Sequence, residues 1–269
     1  MDQIEVAGLR IAFERAGNGP PLVLLHGILQ DSQAWRRQLD DLSDAFTVVA
    51  WDAPGCGRSS DPPESFRLPD YADCLAAFVS ALGLQRPHVL GLSWGGGLTL
   101  ELYHRHPTVA ATLLLTGAYA GWAGSLPADV VGQRLRQAQR EADLPPDRFV
   151  PGWIPGLLTD AAPTAMVDEV MEVMFRFHPS GYRVMAQAFA EADLREVLPR
   201  VAVPTLLLYG AEDRRSPLPV AEDLHATIPG STLVVVPSVG HLCNIEAAGT
   251  FNMEVRRFLF THGSYTPSP

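Results

Sequence analysis

The chain has 269 residues, of which 47% are hydrophobic and 19% charged, enough apolar material for one large core and too much for a disordered chain. A formal charge of -10, with no run of Lys or Arg longer than a pair such as Arg36-Arg37, argues against a nucleic-acid partner and against anionic membranes. Three cysteines, Cys56, Cys74 and Cys243, lie far apart without CxxC spacing, so neither a disulfide framework nor a zinc site is expected and a reducing cytoplasm fits.

The first residues, Met1-Asp2-Gln3-Ile4-Glu5, are acidic where a signal peptide is basic. No apolar run reaches bilayer length, so neither an export signal nor a membrane anchor is expected. Residues 4–13 alternate around Gly8 and predict an antiparallel hairpin at a sheet edge. Residues 21–26, 46–51, 87–92, 112–116, 204–209 and 232–236 read as short continuous apolar strands, the pattern of strands buried on both faces. Between them, residues 31–42, 68–82, 96–106, 218–228 and 247–260 place apolar residues at spacings of three and four and predict helices. This alternation implies an α/β fold with a mostly parallel sheet covered by helices.

The segment between residues 117 and 204 has no convincing strand pattern. It carries helical patterns over 129–142, 164–178 and 181–192, broken at Leu144-Pro145-Pro146, at Trp153-Ile154-Pro155-Gly156 and at His178-Pro179. The expectation is a helical cap over residues 121–195, inserted into a core made of 1–120 and 196–262. A polar, Pro-rich tail over 263–269 is expected to be mobile.

Gly91-Leu92-Ser93-Trp94-Gly95 joins an apolar strand to a helix, the setting of a nucleophile elbow, and makes Ser93 the candidate nucleophile. Residues two before and two after such a serine must be small, and Gly91 and Gly95 are. A serine hydroxyl needs a base and a carboxylate to orient that base. His241 follows the last apolar strand in Val239-Gly240-His241 and is the candidate base; the other histidines fall on helices, in the tail, at a strand start or, for His26, in a loop where the ring is read as a structural brace. Asp213, in Tyr209-Gly210-Ala211-Glu212-Asp213, stands at the carboxyl end of a strand, where ligands bind in open parallel sheets. Glu212 is its neighbour and rival.

The oxyanion of a tetrahedral intermediate needs preorganised N–H donors, and these are assigned to the main chain of Ile28 and Trp94. The Gly-rich stretch 52–59 lacks the helix start and Lys/Ser pair of a phosphate loop and reads as a tight structural turn. No cofactor or metal is expected. Five cap aromatics, Trp122, Trp153, Phe149, Phe175 and Phe177, suggest a mostly apolar pocket for a small-molecule substrate, with Trp122 and Trp153 as the contacts to it. Arg214 and Arg215 read as solvated.

Four blocks, His26-Gly27, Asp52 to Ser59, Gly91 to Gly96, and Gly210 to Asp213 with Gly240-His241, resemble the α/β-hydrolase superfamily in this order. The resemblance covers the chain from the first hairpin to about Leu259. It implies an eight-stranded sheet, a cap after the sixth strand, and Ser93, Asp213 and His241 as a triad in that chain order. Haloalkane dehalogenases and epoxide hydrolases use an aspartate where this chain has Ser93. The stretch Gly240-His241-Leu242-Cys243-Asn244-Ile245-Glu246 is similar to enol-lactonases and small-ester hydrolases, although Ala247-Ala248-Gly249 departs from the proline usual there.

The resemblance therefore implies a serine hydrolase acting on a small carboxylic ester or lactone through an acyl-enzyme. The alternatives are a C–C bond hydrolase or a cofactor-free haloperoxidase-like enzyme on the same triad. An alternative of another class is a capped-pocket ligand-binding protein without turnover.

Overall fold

In the computed structural model, which describes residues 1–262, a hairpin opens the chain: β1 (Asp2–Val6) and β2 (Leu9–Ala16) turn at Ala7 and Gly8, both at positive φ. Then come β3 (Pro21–Leu25), α1 (Arg36–Leu42), β4 (Thr47–Trp51), α2 (Leu68–Ala81), β5 (His88–Leu92), α3 (Trp94–Arg105) and β6 (Thr112–Thr116). The cap segment holds α4 (Ala128–Glu141), α5 (Ile154–Leu157), α6 (Thr164–Met174) and α7 (Pro179–Glu191). The chain closes with β7 (Thr205–Gly210), α8 (Leu218–Thr227), β8 (Thr232–Val236), α9 (Cys243–Glu246) and α10 (Ala248–His262). The tail expected at 263–269 lies outside the described residues.

The strands form one eight-stranded sheet in the order β1-β2-β4-β3-β5-β6-β7-β8. Only the pairs β1–β2 and β2–β4 are antiparallel, so the sheet is mostly parallel, as expected. Successive side chains alternate between two apolar layers. Val23, Leu25, Val49, Trp51, Leu113, Leu115, Leu207 and Tyr209 face α2, α3 and α8. Leu22, Leu24, Val48, Ala50, Leu114, Leu206 and Leu208 face α1 and α10. The edge strand β8 departs from the expectation of two buried faces: Thr232 and Val235 are exposed, and among the described residues no strand pairs beyond it. Among the described residues no helix is long and apolar enough to cross a membrane.

Several helix boundaries differ from the sequence reading: the helix expected over 31–42 begins only at Arg36, after a tighter turn over Ser32–Trp35, and two others shift for local reasons. α3 begins at Trp94 rather than 96, since the Gly-rich start is held by packing and not by its own weak propensity. The pattern over 164–178 stops at Met174, and Pro179 opens α7 as its first residue, where its missing N–H costs nothing.

The cap is tied to the core at its rim. Arg37 holds Glu169 of α6 through two bonds of 2.5 and 2.7 Å, His178 and Ser180 meet Asp61, and Arg176 stands 3.8 Å from Asp31. Asp31 is buried, and its Oδ1 caps the turn before α1 by accepting the Gln33 N–H at 2.9 Å. Burial, with the Asp52 charge close by, pushes its carboxyl up from 3.8 to about 6. The folded state therefore holds a proton that the unfolded chain releases between these values, so stability falls as pH rises from 3.8 to 6 and is level above. Asp31→Asn keeps the capping oxygen and removes the charge. Its stability relative to wild type is expected to rise by on the order of 2 kcal/mol between pH 4 and pH 8, measured by urea unfolding at both pH values; a pH-independent difference would contradict this.

Candidate active site

One residue, Ser93, separates β5 from α3, and its backbone lies at φ 56° and ψ -111°. Positive φ is strained for a residue with a Cβ, and the main chain around it maintains the turn. The Ser93 N–H donates to the Thr116 carbonyl at 2.8 Å, and the Ser93 carbonyl accepts from Gly96 and Gly97 at 3.0 and 3.2 Å. The turn presses the start of α3 onto neighbouring backbone. A Cβ on Gly95 would stand 2.3 Å from the Leu25 carbonyl oxygen, and one on Gly91 2.2 Å from that of Gly95. Only glycine fits either place.

Asp213 lies just past β7, in a loop fastened to the end of β6: the hydroxyls of Tyr209 and Ser216 both donate to the Ala118 carbonyl, at 2.8 and 2.9 Å. Asp213 Oδ1 accepts the N–H groups of Arg215 and Ser216, each at 2.8 Å. Its Oδ2 is left for His241 Nδ1, also at 2.8 Å. Both side chains are buried, whereas Glu212, the rival carboxylate, is exposed. With Nδ1–H donating to the carboxylate, Nε2 of His241 keeps a lone pair free to accept a proton.

The His241 loop is fixed from the cap side. Leu242 N–H donates to the Leu157 carbonyl at 3.0 Å. The Glu246 carboxylate accepts from the N–H of Gly240 at 2.8 Å, from the N–H of Thr159 at 3.0 Å, and from the Thr159 hydroxyl. Glu246 thus ties the loop that carries His241 to Thr159 of the cap. Its role is not legible in the sequence, since its partner Thr159 lies in the distant cap.

Ser93 and His241 line one cavity of about 20 Å³, together with Ile28 and Gln30 after β3 and Trp153 and Leu157 of the cap. That is room for a water molecule, so a substrate can enter only if cap side chains move. Among the described residues the main-chain N–H groups of Ile28 and Trp94 have no acceptor, and Trp94 is the first residue of α3, at the positive end of its dipole. The Trp94 indole itself is buried edge-on against Tyr71, with ring centroids 4.9 Å apart, on the layer facing α2. His26 braces the loop after β3: Nδ1 bonds the Gly27 carbonyl at 2.8 Å and Nε2 accepts the Ala53 N–H at 3.0 Å. Burial lowers its pKa and keeps the ring neutral, as this pairing requires. The 52–59 stretch is a structural turn, with Asp52 accepting the N–H groups of Ser32 and Arg58.

Two sequence-based assignments need correction. Trp122 does not line the cavity; it packs on Phe189 with centroids 5.6 Å apart, where the cap joins the core. Phe149 and Phe177 likewise pack on each other and Tyr182 inside the cap, and Phe175 is exposed, so Trp153 alone of the five aromatics reaches the Ser93 cavity. Arg215 is not a solvated residue. It is part-buried, lines the same cavity, and holds its guanidinium 4.0 Å from the Trp153 ring centre. The sequence carried no signal for this, because the ring that receives Arg215 comes from a distant part of the cap.

Comparison with known proteins gives a consistent picture. A thermophilic esterase from Thermogutta terrifontis is similar at 28% identity and a TM-score of 0.91, over 97% of this chain and all of that one. A pimeloyl-[acyl-carrier protein] methyl ester esterase of Aliivibrio salmonicida is 27% identical over 92% of this chain and 95% of its own length. The dihydrolipoyllysine-residue acetyltransferase component of an acetoin cleaving system in Cupriavidus necator is 29% identical over 95% of this chain and 68% of its own. The family model for the alpha/beta hydrolase fold matches residues 20–170, more than half of the chain. Strand order, elbow and family match agree, and the chain belongs to the α/β-hydrolase family.

Proposed function

We propose that the protein is a serine hydrolase that cleaves a small carboxylic ester or lactone through an acyl-enzyme. The observation that carries this reading is the buried 2.8 Å bond between His241 and Asp213, in a cavity shared with a serine on a strained strand-to-helix turn. Ser93 Oγ attacks the carbonyl carbon while His241 Nε2 takes its proton, and the imidazolium so formed is stabilised by Asp213. The oxyanion lies between the N–H groups of Ile28 and Trp94, which have no acceptor among the described residues to give up. Collapse of the intermediate expels the alcohol, protonated by His241, and leaves an acyl group on Ser93. Water then attacks the acyl group by the same route in reverse. The roof of Trp153, Leu157 and Leu242 suits an apolar acyl or alcohol chain.

A fluorophosphonate probe tests the reading directly. Stoichiometric labelling at Ser93, located by peptide mass spectrometry, is the expected result. A folded protein that stays unlabelled would instead be a binder with a closed cap.

A further inference from the structure

A cation, Arg215, lines the cavity over Ser93, and among the described residues it forms no ion pair. Arg215 is held from its main chain: its N–H donates to Asp213 Oδ1 at 2.8 Å and its carbonyl accepts from Arg134 Nη2 at 3.0 Å. Its aliphatic stem runs so close to Gly156 that a Cβ there would lie 3.1 Å from its Cδ. The guanidinium carbon lies over the Trp153 ring, 4.0 Å from its centre, and among the described residues the group donates no hydrogen bond and has no carboxylate within ion-pair distance. Glu141 is the acid bonded to the Trp153 indole, and its oxygens are engaged: Oε1 by Gln137 at 2.7 Å, and Oε2 by the Trp153 indole at 3.1 Å and the Tyr182 hydroxyl at 2.7 Å.

A part-buried guanidinium with unmatched donors is costly unless something binds them. Contact with the ring holds the guanidinium in place, and its unpartnered N–H groups suit a carboxylate, which a guanidinium grips through two parallel bonds. Burial, with Arg134 close by, lowers its pKa from the ordinary arginine value, yet a guanidinium remains protonated at any physiological pH. Its charge is therefore permanent, and it faces the cavity that also contains Ser93.

We infer that Arg215 binds a second, unreacting carboxylate of the substrate, so that the enzyme acts on half-esters or acidic lactones in which a short chain separates the scissile carbonyl from the acid. This rests on Ser93 being the nucleophile. It extends the apolar pocket read from the cap aromatics by one charged contact at the end of the chain.

The test compares kcat/KM for monomethyl succinate and for methyl levulinate, in which a neutral acetyl group replaces the carboxylate. Wild type is expected to favour the acid, Arg215→Met to lower the acid-to-neutral ratio by at least about tenfold, mainly through KM for the acid, and Arg215→Lys to restore part of it. A wild-type ratio at or below one, or a ratio unchanged in Arg215→Met, overturns the inference. A second measurement needs no turnover. Succinate, but not succinamide, is expected to slow fluorophosphonate labelling of Ser93 in wild type, with protection lost in Arg215→Met. Equal protection in both proteins, or none in wild type, counts against Arg215, whereas absence of labelling removes the serine-nucleophile reading itself.

Discussion

Replacing Ser93 with alanine is expected to reduce kcat for p-nitrophenyl acetate by about ten-thousandfold or more, as removal of a triad nucleophile does elsewhere. The change is clean because the structural bonds at this residue belong to its main chain, namely the N–H to Thr116 and the carbonyl to Gly96 and Gly97. Alanine keeps the Cβ and hence the same backbone strain at φ 56°. Thermal unfolding should accordingly shift by less than about 1 kcal/mol, so that lost turnover cannot be attributed to lost fold. The residual rate in the variant has a meaning too: it reports what the Ile28 and Trp94 donors and binding alone contribute. Wild-type turnover by a folded Ser93→Ala protein refutes the mechanism.

Much of this arrangement was legible in the sequence because an open parallel sheet sets its chemistry at strand ends. Each of Ser93, Asp213 and His241 follows an apolar run that stops at glycine-containing backbone, and the parallel strands β5, β7 and β8 place the ends of those runs on the same, carboxyl-terminal side of the sheet. Strands 112–116 and 232–236 were readable to the residue, since their apolar runs have sharp limits. Edge position is not local, so the exposure of β8 was not readable. The same holds in the cap. Trp122 and Trp153 are alike as sequence, and only the packing of α7 decides that the first meets Phe189 while the second roofs the cavity. Arg215 stands two residues from Asp213, yet its environment is made by Trp153 and Gly156, which lie far away along the chain.

Asp213→Asn is expected to lower kcat by about ten-thousandfold with little change in KM, although the side chain is nearly isosteric. Two of the three bonds to the carboxylate survive the change. Oδ1 accepts the N–H groups of Arg215 and Ser216, and an asparagine oxygen in that position accepts them equally well, so the loop between β7 and α8 keeps its shape. The third bond reverses direction. With an amide NH₂ in place of Oδ2, His241 Nδ1 becomes the acceptor, and the imidazole proton moves to Nε2. That nitrogen then has no lone pair for the Ser93 proton, and no carboxylate stabilises an imidazolium. The variant thus separates the electrostatic and tautomeric task of Asp213 from its structural one. If Asp213 merely held the loop, Asp213→Asn would retain activity and Asp213→Ala would lose it. Under the mechanism argued above, both lose turnover, and only Asp213→Ala also shows a lowered unfolding midpoint, since it alone leaves the N–H groups of Arg215 and Ser216 without their acceptor.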